Sequence, residues 1–161
     1  MKVNARGTQL PLAAALCLAV MLATPAAPAV KNMAVVVSAG SKLADVPLAD
    51  LTKLCKGTQK AWPDGKNFTL VIKDPESPEM HLVVQKVLGG TTADVKAAIA
   101  KLNESRQVIR IVESDEDLLR TVEAIPGAVG IVDVYAINSA VKVLRVDGKL
   151  PFDAGYALKG N

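Results

Sequence analysis

Lys73 and Ser77 are the residues of this 161-residue chain whose types and spacing best suit a chemical task. The lysine closes an apolar run at 68–72, and four positions later the serine opens a predicted helix. That spacing brings a cation close to unpaired backbone N–H groups at a helix start, which suits an oxyanion. Two neighbours work against it. Pro78 removes one donor, and Glu79 carries a negative charge toward any bound anion. Ser38, Gly40 and Ser41 form a second candidate, a small polar loop at the carboxyl end of the predicted strand 33–37, where α/β sheets commonly hold ligands. The same residues are ordinary loop formers whose hydroxyls satisfy nearby backbone groups.

Residue sets for catalysis are missing from the sequence. His81 is the single histidine, so one chain offers no multi-histidine metal site. There is no Cys-x-x-Cys pair, no Gly-x-Ser-x-Gly elbow, no P-loop and no Gly-x-Gly-x-x-Gly after a strand. Asp115, Glu116 and Asp117 are accounted for by the first turn of a helix, where the dipole favours acids. We therefore expect no catalytic residues, no metal and no cofactor. Trp62 is expected to anchor a turn, since sugar stacking would call for more than the five aromatics present.

The elements that must position these residues follow from periodicity. Ser114 caps a helix with Asp117 at the third helical position, and Leu118, Val122 and Ile125 recur on one face. Pro126-Gly127 ends that helix, and the apolar run 128–132 reads as a buried strand. Strands are also predicted at 33–37, 68–72, 108–112 and 141–146. Helices are predicted after Pro47, after Ser77 (apolar face Met80, Val83, Val84, Val87, Leu88; stop at Gly89-Gly90) and after Thr91 or Thr92. Alternating strands and helices argue for an α/β sandwich with a mostly parallel or mixed sheet flanked by helices. Residues beyond 150 are expected to form a loosely ordered tail.

The first 29 residues have the anatomy of a signal peptide. Lys2 and Arg6 precede an apolar run at 10–23, and Ala27-Pro28-Ala29 fits a cleavage site. Cleavage would remove two of the nineteen basic residues and no acid, so against sixteen acids the net charge becomes +1. Nothing there suggests nucleic acid, which needs a clustered basic face. The expected product is periplasmic or secreted, has no membrane span after cleavage, and comprises residues 30–161. Cys55 is then the one cysteine left, which rules out an intramolecular disulfide. Its spacing after Leu48, Leu51 and Leu54 suggests a buried structural thiol.

A family resemblance accompanies this reading. The capped acidic helix, Pro-Gly-Ala and Gly-containing strand of 114–132 resemble the phosphate-type periplasmic substrate-binding proteins of ABC transporters. Residues 48–65, LADLTKLCKGTQKAWPDG, are similar to that family's leucine-rich helix ending in glycine (Leu48, Leu51, Leu54, Gly57) and its Trp-x-Asp-Gly turn (Trp62, Asp64, Gly65). The resemblance spans about 33–146. It implies a periplasmic-binding-protein-like domain that binds a small oxyanion such as phosphate reversibly, with an ABC permease or another envelope protein as partner. In that family a basic residue and a Ser-Gly-Thr cluster help hold the oxyanion. Lys73 and Ser77 match in kind, while Pro78 and Glu79 replace the Gly and Thr. Such proteins usually close two lobes on a ligand, and this chain is long enough for one. Two readings stay open: a solute-binding protein, and a diverged relative that has lost phosphate binding and acts through protein contacts.

Overall fold

In the computed structural model, residues 31–160 are described, so the expected leader at 1–29 lies outside the described residues. Apolar runs form the strands β1 (Met33–Ser38), β3 (Thr69–Ile72), β4 (Ile109–Ile111), β5 (Ala128–Asp133) and β6 (Val141–Val143) of one sheet, ordered β4-β3-β5-β1-β6. β3 lies parallel to both β4 and β5, whereas β1 runs antiparallel to β5 and β6. The sheet is therefore mixed, and the expected α/β architecture is the one observed. A small parallel pair, β2 (Asp45–Val46) with β7 (Arg145–Val146), forms a second sheet, so the run 141–146 is two short strands and not one.

Alternating side chains divide the core between the two sheet faces. Met33, Val35 and Val37 of β1, with Leu70, Ile72, Val129 and Ile131, face one layer. That layer contains α1 (Leu48–Cys55), α3 (Thr92–Leu102) and the segment 78–88. Ala34, Val36, Val71 and Val132 face the other layer, where α4 (Asp115–Ala124) inserts Leu118, Leu119 and Val122. Close approach of α4 explains Gly130. A Cβ there would lie 2.5 Å from Leu118 Cδ2 and 2.9 Å from Val122 Cγ2.

Capping chemistry reads as expected. Ser114 Oγ accepts from the Asp117 N–H, and Thr91 forms a reciprocal capping box with Asp94 at the start of α3. The predicted helix after Ser77 instead runs through three hydrogen-bonding patterns. Pro78–Met80 is a 3-10 turn, α2 (His81–Val83) is a short α turn, and Val84–Leu88 is a π turn closed by Gly89 N–H to the Val84 carbonyl over 2.7 Å. Its apolar face is nonetheless the predicted one, with Met80, Val83, Val84, Val87 and Leu88 buried.

The tail differs from expectation. Tyr156 and Leu158 are buried in the larger core cluster, and Met33 N–H donates to the Leu158 carbonyl over 3.0 Å. Burial of these side chains against the start of β1 supplies an anchor that local composition does not announce. Cys55 is buried as expected, and burial pushes its thiol upward from the ordinary value, so it is neutral.

Candidate functional site

Strand direction decides which sequence candidates come together. The carboxyl ends of β3, β4 and β5 share one end of the sheet, and the start of β1 joins them because β1 runs the other way. Lys73 follows β3 at that end. Ser38, at the carboxyl end of β1, is at the opposite end, beside the start of β5. The structure thus brings Lys73 and Ser77 into one region and Ser38, Gly40 and Ser41 into another.

Lys73 is the centre of a charge cluster. Its ammonium pairs with Glu79, six residues on, and with Asp115 Oδ1 at 2.6 Å, at the first turn of α4. Lys31 reaches in from ahead of β1 to Asp133 Oδ2 at 2.9 Å and to Glu79 at 3.7 Å. Two cations thus face three carboxylates. Only 11% of the Lys73 side chain is exposed. Burial pulls its ammonium downward, but pairing with the Asp115 and Glu79 carboxylates outweighs that and holds it above the ordinary lysine value. Asp133 is held below the ordinary carboxylate value. Burial opposes this, and the Tyr135 N–H and the Lys31 pair overcome it.

Ser77 is differently employed. Its hydroxyl donates to the Asp74 carbonyl over 2.8 Å, and its N–H donates to the same oxygen over 2.9 Å. The serine closes its own turn. Glu79 supplies the oxyanionic group that Lys73 holds. Asp115 was read from sequence as a helix-dipole residue, and its role as a second partner was missed; only the packing of α4 beside β3 reveals it.

At the other end, Ser38, Gly40 and Ser41 line a cavity of about 230 Å3 with Lys66 and the acids Asp64 and Glu123. Ser41 N–H donates to the Ser38 carbonyl, Leu43 N–H donates to Ser41 Oγ, and Lys142 Nζ donates to the Ser41 carbonyl. These groups serve their own loop, and Lys66 is paired with Asp64 at 3.1 Å. Among the described residues, no three His, Cys, Asp or Glu side chains are grouped to hold a metal ion. His81 is exposed at the start of α2.

Comparison with known proteins gives a fold. The chain superposes on an ABC-type phosphate transport receptor from Vibrio cholerae with a TM-score of 0.63 and 15% identity, covering 82% of this chain and 55% of the receptor. PstS from Borrelia burgdorferi gives a TM-score of 0.63 at 15% identity, covering 83% of this chain and 56% of that one. A putative phosphate ABC transporter substrate-binding protein with bound phosphate from Clostridium perfringens gives 0.60 at 15% identity, covering 74% and 46%. The fold is that of the phosphate-type substrate-binding proteins. The chain spans about half the length of these solved structures. No protein-family model and no curated protein matches it. No helix among the described residues is long and apolar enough to cross a membrane.

Proposed function

We propose that this chain is an exported, periplasmic or secreted solute-binding protein that works without catalysis and captures a small oxyanion of the phosphate class at the Lys73 end of the sheet. The observation that carries this is Lys73 itself. It is a buried cation at the carboxyl ends of parallel strands, and it already holds oxyanionic groups, those of Glu79 and Asp115. These carboxylates compete with a free anion, so capture is weak until they give way. An ABC permease would be the partner for release.

The test is thermal melting of the chain in phosphate, sulfate and chloride at matched ionic strength, which cancels general salt effects. A ligand at a hundred times its Kd stabilises by about 2.7 kcal/mol, a shift of a few degrees for a domain of this size. Glu79→Gln should enlarge the phosphate shift by removing a competitor. Absence of an anion-specific shift in both forms would end the oxyanion reading.

A second reading is favoured by one specific observation. Tyr135 is 84% exposed and Phe152 is 62% exposed, and their rings stand 6.2 Å apart. Exposed neighbouring aromatics suit a protein contact. Tyr135 follows β5 at the same end as Lys73. On this reading the cluster is an internally neutralised remnant and the end of the sheet docks another envelope protein. Capture of a partner lost in Tyr135→Ser, with no anion-specific melting shift, would select it.

A further inference from the structure

We propose that the cavity between the end of α1, the π turn and α3 is a second binding site, one that takes a small amphiphilic anion: an alkyl chain bearing a single carboxylate head. The cavity has a volume of about 530 Å3, inside the roughly 300–1,000 Å3 of small-molecule pockets. Its floor is apolar. Cys55, Leu88, Val95, Ile99, Val108 and Ile109 line it, each buried. Gln59 and Ser105 also line the cavity, and the Cys55 sulfur on its floor belongs to a buried thiol.

The rim carries one sign of charge. Lys56, Lys60, Lys101 and Arg106 border the cavity, and no acidic residue lines it. Among the described residues none of these four is in an ion pair. Arg106 is fixed there by donating to the Phe68 carbonyl over 2.9 Å and the Lys60 carbonyl over 3.3 Å. The wall at Leu88 is the end of the π turn, a conformation that recurs at functional sites.

Charge and apolar floor together select the occupant. An inorganic oxyanion would answer the cations but leave the floor wet, and a neutral hydrocarbon would fill the floor but leave the cations unanswered. An alkyl carboxylate does both, each buried methylene adding to the gain. The site is separate from the Lys73 cluster. The cavity is built around the end of α3 and the start of β4, at the amino end of the parallel strands, and Lys73 follows the carboxyl end of β3.

The experiment is calorimetric titration of the full chain with decanoate below its micelle concentration, beside decanol, decyltrimethylammonium and inorganic phosphate. We expect saturable one-to-one binding of decanoate, at least tenfold weaker binding of decyltrimethylammonium, and no displacement of decanoate by phosphate. Ala98→Trp, at an exposed position on α3 that lines the cavity, should abolish decanoate binding without lowering the melting temperature by more than a few degrees. Lys60→Glu with Lys101→Glu should weaken decanoate tenfold or more while leaving decanol unchanged. Equal uptake of the cationic amphiphile would overturn the proposal. So would decanoate binding that survives Ala98→Trp, displacement by phosphate, or no saturable binding at all.

Discussion

The indole N–H of Trp62 donates to the Gly127 carbonyl over 2.9 Å, bridging residues 65 positions apart. The bond ties the turn after α1 to the turn before β5, and the Trp62 ring also packs edge-on against Phe68 at 5.6 Å. Gly127 has φ +84°, and a Cβ there would lie 2.4 Å from the Asn67 carbonyl oxygen. Trp62→Phe should therefore cost about 1–3 kcal/mol, the price of stripping a donor from a half-buried carbonyl. Gly127→Ala should cost about 3 kcal/mol or more, through backbone strain and overlap together. Urea midpoints at constant m would show both effects. If Gly127→Ala were the milder change, the tight approach of Asn67 would be wrong.

The buried face of α4 can be separated from its cap. Val122 is fully buried between α4 and the sheet, so Val122→Asp should cost on the order of 4 kcal/mol or force the carboxyl to remain protonated. Ser114→Ala removes only the acceptor for the Asp117 N–H and should cost about 1 kcal/mol. Denaturation of both variants should preserve that order.

Local chemistry made much of this fold legible. Caps at Ser114 and Thr91, the stop at Pro126-Gly127 and the apolar faces of α1, α4 and the 78–88 segment all follow from residue types at helical spacing. Strand direction does not. Nothing in residues 33–38 distinguishes an antiparallel β1 from a parallel one, and that direction sends Ser38 to the end away from Lys73. The run 141–146 looks like one strand because four of its six residues, Val141, Val143, Leu144 and Val146, are apolar. In the fold, β6 ends at Val143 and β7 begins at Arg145, so the chain leaves the large sheet at Leu144 and enters the small one. Asp115 shows the same limit at the site. Its position at a helix start explains it locally, and its pairing with Lys73 depends on two elements meeting.

Acid should reach Asp133 late. Its carboxyl is held below the ordinary value of 3.8, so its contribution to stability is present above that pH and is lost as pH falls through the lowered folded value. Asp133→Asn keeps an oxygen for the Tyr135 N–H but loses the charge that faces Lys31. The variant should be less stable at pH 7, and the difference should shrink as pH falls below 3.8. Chemical denaturation at several pH values would read this directly. A gap that widens toward acid would have the wrong sign.

Export is checked by mass. The basic start, apolar run and Ala-x-Ala pattern predict cleavage after Ala29, so protein recovered from the periplasm or medium should begin at Val30. Recovery of uncleaved chain from the cytoplasm would reject the prediction.

The Lys73 cluster should behave as one unit. Lys73→Met removes a buried cation and leaves Glu79 and Asp115 facing each other without their shared partner. Breaking a buried pair in this way typically costs about 3–5 kcal/mol, mostly as the burden of the stranded charges. Partial exposure of both carboxylates, 21% for Glu79 and 31% for Asp115, lets water answer some of that charge and places the expected cost at the low end. Glu79→Gln alone should cost less, because Asp115 still answers the lysine. Combining the two should then be less damaging than their sum, by roughly 0.5–3 kcal/mol, since the second change removes one of the charges that the first strands. A double-mutant cycle in urea measures that coupling. Strict additivity would mean that Glu79 and Lys73 do not share their charge, and Asp115 would then be the carboxylate that a free anion must displace from the lysine.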